Sequence, residues 1–273
     1  MKNVELTKTA KSANTGININ GVNTFPFVND IDNGHITSDD MFLIKSKSGS
    51  FKSGFMQNLC LYASTDKTNF ETYNSTKPCI VFVSFEMRTH MLLTRELSWM
   101  DDKFLREDIA NKETPEVIDT VLGLRKTCGL NIPVFYIEID KYKTPNAIEA
   151  ITEELQELED AGYNIILTAI DYVGNIGGDE ESSVKLRSLN TIKNKFNTAL
   201  LVASNDFSNN LDTDEFSTMI SLVRNSKIYN TVCSSDILFI NFKRKEYDTL
   251  FVFPFNGFKL TNSTNVNALR AKL

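Results

Sequence analysis

Short, dense apolar runs recur along the chain, with amphipathic stretches between them. The runs are 41–46 (MFLIKS), 79–85 (CIVFVSF), 133–139 (PVFYIEI), 164–170 (NIILTAI) and 198–204 (TALLVAS). Rich in Val, Ile, Leu and Phe, they match strands buried on both faces. After Thr144-Pro145 the period changes: Ile148, Ile151, Leu155 and Leu158 form one apolar stripe, with Thr144 or Asn146 as the N-cap. Segments 53–66, 88–106, 114–127 and 181–196 also read as helices. Two more strands are expected at 236–242 (DILFINF) and 249–255 (TLFVFPF), joined by a charged turn. Alternating strand and helix predicts an α/β fold with a mostly parallel sheet and helices on both faces. Residues 1–40, rich in Asn, Thr, Gly and Asp, read as an N-terminal arm or linker. One core domain is expected over 41–265, followed by a C-terminal tail at 266–273.

Composition narrows the classes. A chain of 273 residues can bury a substantial core. The net charge of −6 and pI near 5.1 argue against a broadly basic surface, although a few phosphate contacts in a channel remain compatible with them. Cys60, Cys79, Cys128 and Cys233 are far apart, with no C-x-x-C and no histidine at ligand spacing. Free thiols in a reducing cytoplasm are therefore expected rather than a zinc site. His35 and His90 have no partner pattern. With no long apolar window and no apolar signal core at the start, a soluble cytoplasmic protein without a membrane segment is expected.

Candidate chemistry enters at 43–63, LIKSKSGSFKSGFMQNLCLYA. A strand runs into a Gly/Ser/Lys loop and then a helix, which is how a phosphate-binding loop is built. Backbone N–H groups and a helix N-terminus face the anion, Lys adds a point charge, and Ser reaches Mg²⁺. Gly49, Ser50, Phe51, Lys52 and Ser53 are the candidate nucleotide-binding residues. The pattern G-x-x-x-x-G-K-[ST] is incomplete, because Ser46 and Phe51 stand at its two glycine positions. Two readings follow: a nucleotide site, or an ordinary βα turn with a solvated loop. Glu86 and Asp171 follow directly on two strands, where open α/β sheets bind ligands. An ATPase needs such a pair, one carboxylate to support Mg²⁺ and one to polarise water. Taken singly, each is equally a helix cap or a loop charge.

The chain resembles the RecA-fold motor domain of DnaB-type replicative helicases, including those of phages. Four segments carry the resemblance. FKSGFMQNLCLYA is similar to the family's GKTAFALNIA-type P-loop helix, with Asn58 at the matching place. VFVSFEMRTHMLLTRE resembles its strand-plus-SLEM segment, making Glu86 the catalytic base. IILTAIDYVGNIG resembles the Walker B strand ending in Asp-Tyr, here Asp171 and Tyr172. TALLVASNDF resembles the sensor strand, with Asn205 where the family has Gln. Weaker echoes are FPFVNDIDNGHITSDDMFLI before the core and SLVRNSKIYNTVCSSDILFI, whose Ser235-Asp236 matches an Ala-Asp.

The resemblance implies a RecA-like P-loop NTPase that binds ATP and Mg²⁺. Its ring of identical subunits, for example a hexamer, would work on single-stranded DNA with other replication proteins in a bacterial or phage-infected cell. Ser53 and Asp171 would serve the Mg²⁺. The family's arginine finger maps to the Lys243-Arg244-Lys245 turn, with Arg244 the best match. DNA-facing loops are implied at 173–187 and 206–227, with Lys185, Arg187, Arg224 and Lys227 as nucleic-acid contacts. The departures matter too. Phe51 crowds a position that normally lets backbone approach phosphate, Asn205 is one methylene shorter than Gln, and residues 1–40 are expected to be an arm and not the family's helical collar domain. A RecA-fold relative that has lost efficient turnover and serves as an assembly or regulatory partner is the alternative.

Overall fold

A computed structural model describes residues 17, 36–49, 51–73, 76–101, 114–140, 142–144, 146–171, 182–205, 216–224, 237–244, 247–256, 259–260 and 264–265. The elements run β1 (Met41–Lys45), α1 (Lys52–Thr65), α2 (Lys67–Tyr73), β2 (Pro78–Ser84), α3 (Thr89–Met100) and α4 (Thr114–Thr127). They continue β3 (Val134–Glu138), α5 (Ala147–Asp160), β4 (Asn164–Asp171), α6 (Ser182–Phe196), β5 (Ala199–Ser204) and β6 (Thr218–Arg224). The antiparallel end holds β7 (Ile237–Arg244), β8 (Tyr247–Asn256), β9 (Lys259–Leu260) and β10 (Thr264–Asn265).

The sheet order is β10-β8-β7-β6-β1-β5-β4-β2-β3. From β6 to β3 every neighbouring pair is parallel, as the alternating pattern predicts. Side-chain alternation sorts the core into two layers. Phe42, Ile44, Ile80, Phe82 and Leu201 meet α1 and Trp99 of α3 on one face. Leu43, Val81, Val83, Leu200 and Val202 meet α5 and α6 on the other, through Ile151, Leu155, Leu189, Ile192 and Phe196. Helix α5 starts where the Asn signal puts it, the Asn146 Oδ1 accepting the Glu149 N–H at 3.2 Å. Helix α1, expected to be amphipathic, is instead buried almost all round.

Two expectations are revised. Segment 206–227, read as a DNA-facing loop, contains β6, which lies inside the sheet between β1 and β7. Its Thr218, Ile220 and Leu222 are buried, and the intervening Met219 and Ser221 are half-buried, the two-residue period of a strand. The helix expected over 88–106 ends at Met100, where Asp101 caps it in an extended conformation. Within the arm, Ile17 and Ile36 pair antiparallel and are buried with the core cluster of the α1 face. Of the other expectations, Ser50, Tyr172, Lys227, Lys245, Ser235-Asp236, Cys233, His35 and the 266–273 tail lie outside the described residues.

Candidate nucleotide-binding site

Strand register builds the site. Lys45 of β1 pairs with Ser204 of β5, Ile170 of β4 with Val202 of β5, and Ser84 of β2 with Asp171 of β4. The residues that follow these strand ends therefore emerge along one edge, the carboxyl edge, as ligand sites in such sheets do.

The loop after β1 is tied down at its start, the Ser46 N–H donating to the Ser204 carbonyl at 3.3 Å. Gly49 has a φ of +79°, and Phe51 a φ of 69° and ψ of 23°. Phe51 therefore adopts the left-handed conformation expected of glycine, which costs a non-glycine residue about 1–2 kcal/mol. Its carbonyl accepts the Phe55 N–H at 2.8 Å and starts α1, yet its side chain offers no cap to the first amides. Those amides point outward with the positive end of the helix dipole behind them.

Lys52 opens α1 and is largely buried. Its ammonium donates to the Ser46 carbonyl at 3.3 Å and to Asn205 Oδ1. Burial lowers its pKa, while the nearby charges of Asp171 and Glu86 pull it back up. The Ser53 hydroxyl lies near enough to the Asp171 carboxylate to favour its ionised form. Asp171, 1% exposed, has its pKa raised first by burial and further by Glu86; Ser53, Lys52 and Arg95 oppose the rise. Asp171 Oδ2 is buried with no hydrogen-bond partner. A buried carboxylate oxygen in that position calls for a positive partner. Together with the Ser53 hydroxyl it forms a hard-oxygen pair suited to Mg²⁺, which keeps several waters and takes further oxygens from phosphate. Among the described residues there is no cluster of three or more His, Cys, Asp or Glu.

Glu86 sits on a turn pinned from several sides. The Phe85 N–H donates to the Asp171 carbonyl at 2.9 Å, the Met87 N–H to Ser84 Oγ at 2.9 Å, and the Thr89 N–H to Glu138 Oε2 at 2.9 Å. The Glu86 side chain itself is exposed, and its charge reaches both Lys52 and Asp171. Lys52, Ser53, Glu86, Asp171 and Asn205 are thus brought together.

Other expected residues lie elsewhere. Arg244 ends β7, and Met219 of β6 pairs with Lys243 while Thr218 pairs with Phe42 of β1. That register puts Arg244 at the amino edge of the parallel strands, opposite the site. Arg224 ends β6 at the carboxyl edge, and Lys185 and Arg187 fall in the first turns of α6, Arg187 exposed. Sequence reasoning gave Arg95 no role, yet its charge acts on Asp171. Its signal was a basic residue in the largely buried stretch LLTRELSW.

A mostly parallel sheet with helices on both faces and a β1–α1 loop at its carboxyl edge is a RecA-like α/β arrangement. Solved structures share it. The chain resembles a solved ATPase domain with a TM-score of 0.61 and 13% identity, over 90% of this chain and 92% of that one. It resembles a DnaB-like replicative helicase, studied for its interactions with primase, with a TM-score of 0.63 and 13% identity, over 95% of this chain and 68% of that one. At such identity the likeness is one of fold. No family model and no curated protein matches the sequence.

Proposed function

We propose that the chain is the ATP-driven motor domain of a DnaB-like helicase, acting on single-stranded DNA in replication as one subunit of a ring. The observation that carries this reading is the gathering of Lys52, Ser53, Asp171, Asn205 and Glu86 at one sheet edge beneath the uncapped start of α1. Lys52 and the loop amides bind the β- and γ-phosphates. Ser53 and Asp171 hold Mg²⁺, which when bound neutralises charge building on the phosphate oxygens. Glu86 orients the attacking water and takes its proton on the exposed carboxylate. Asn205 exchanges the Lys52 ammonium for the γ-phosphate and so reports its presence. Arg244 serves as the finger for a neighbouring subunit's site, and Lys185, Arg187, Arg224 and Lys227 contact the DNA backbone.

A second reading keeps the fold and the binding site without efficient turnover, the chain acting as an assembly partner. The bond between Lys52 and Asn205 favours it, since a nucleotide has to displace that contact. ATP turnover with Mg²⁺, with and without single-stranded DNA, separates the two. The motor reading expects turnover stimulated by DNA, lost in Lys52→Ala together with nucleotide binding, and lost in Glu86→Gln with binding retained. Turnover equal to wild type in either variant sinks the role assignments, and absent turnover in the wild type selects the second reading.

A further inference from the structure

A bulky residue with φ near +69° is a genuine backbone outlier, and the position before Lys52 is where a phosphate loop needs left-handed backbone. The chain holds that backbone with a phenylalanine. The ring turns inward and packs against the core cluster of the α1 face. Its room comes from three residues on: a Cβ built on Gly54 would collide with Cε2, Cζ and Cδ2 of Phe51. Gly54 is buried in the first turn of α1, where glycine is otherwise a poor choice. Gly49, by contrast, has nothing within 4 Å of where a Cβ would stand, so its glycine answers to φ alone.

We propose that Phe51 and Gly54 are a matched pair, in which the missing side chain at 54 receives the Phe51 ring and so keeps the loop backbone in the phosphate-binding conformation. The glycine of the usual pattern is displaced by three positions rather than lost. Phe51 and Gly54 are positioning residues: they act through the loop amides and touch no reacting atom. The inference rests on the nucleotide-site reading, and the test separates the two.

Four full-length proteins are compared: wild type, Phe51→Gly, Gly54→Ala and the double variant. Affinity is read by titrating a fluorescent ATP analogue with Mg²⁺, and the thermal midpoint is read without nucleotide. Gly54→Ala is expected to lower the midpoint and to weaken binding by about tenfold or more. Adding Phe51→Gly is expected to return affinity to within about threefold of wild type, a non-additive recovery. A Gly54→Ala protein that binds as wild type, or a double variant no better than Gly54→Ala, overturns the pairing. If the wild type itself binds no nucleotide, that reading falls while the midpoints still decide the pair. Recovery in the double variant then sustains it, and additive losses overturn it.

Discussion

Asp171 holds a carboxylate where burial opposes its charge, and the consequence is a testable pH dependence. Its pKa is raised by burial and by Glu86. In the proposed role Asp171 supports Mg²⁺ in its ionised form, so the metal would have to displace a proton once the pH drops into the raised range. Apparent affinity for the Mg²⁺–nucleotide is therefore expected to weaken on acidification earlier than an ordinary carboxylate near pH ~4 would dictate. Calorimetric titrations from neutral to mildly acidic pH check this, beside Asp171→Asn, in which the metal-dependent part of binding should vanish at every pH. An unchanged metal dependence in Asp171→Asn would move the metal elsewhere. The candidate residues are legible because Glu86 and Asp171 stand at strand ends and Lys52-Ser53 opens a helix after a Gly/Ser loop. Lys52-Ser53, Glu86 and Asp171 are visible as such in the string. The backbone at Phe51 was not legible, since a φ forced by a turn leaves no mark on composition, and Gly54 looked like a poor helix residue instead of a receptor for a ring. Asn205 was found, but its bond to Lys52 joins residues 153 apart and no local pattern announces it.

Elements are locked around the site by a buried polar network. Glu96 of α3 is fully buried and receives Arg125 of α4 in two parallel bonds, Nε to Oε1 at 2.6 Å and Nη2 to Oε2 at 2.8 Å. Arg125 also donates to the Val134 carbonyl at 2.9 Å, and the Tyr136 hydroxyl of β3 to Glu96 Oε2 at 2.8 Å. Gln57 of α1 completes the network, donating to the Tyr136 hydroxyl at 2.9 Å and the Leu92 carbonyl at 2.8 Å. Burial pushes the Tyr136 hydroxyl well above its ordinary pKa, and Glu96 adds to the rise. Removing one partner strands a buried charge, so Glu96→Ala is expected to destabilise by about 3–5 kcal/mol in urea unfolding. Replacing both, as Glu96→Leu with Arg125→Met, should recover most of that loss. A Glu96→Ala cost within about 1 kcal/mol would reduce the pair to surface-like strength. The apolar runs forecast strands β1 to β5, β7 and β8 within a few residues. Strands β1, β2, β4 and β5 are almost wholly buried as expected, whereas β3, last in the sheet, leaves Phe135 and Tyr136 half-buried and Glu138 exposed. Strand β6 escaped because Ser217, Thr218 and Ser221 dilute its alternation, and only its neighbours β1 and β7 make it a strand.

For the whole molecule, the placement of Arg244 decides how a finger could operate. Lys52, Asp171 and Glu86 follow the carboxyl ends of their strands, whereas the β6–β7 register sets Arg244 level with the start of β1. The five residues of β1 put roughly 15 Å between those levels along the strand direction. An arginine on the opposite edge of the sheet cannot complete its own chain's site, but a head-to-tail ring brings the edge of one subunit to the site of the next. The sequence could not give this, because which edge Arg244 occupies depends on β6. Complementation then tests the arrangement. Lys52→Ala and Arg244→Ala are each expected to abolish DNA-stimulated turnover, Arg244→Ala with nucleotide binding intact, since a trans finger contributes about 10³–10⁵ in rate. Mixed in equal amounts and allowed to exchange subunits, the two inactive proteins should regain activity. An Arg244→Ala subunit supplies an intact Lys52 site, and a Lys52→Ala neighbour supplies the arginine. With random assembly about a quarter of the interfaces combine both, so turnover near a quarter of wild type is expected if interfaces fire independently. Turnover that stays at zero in verified mixed oligomers would remove Arg244 from the role and leave it a residue of the β7–β8 hairpin.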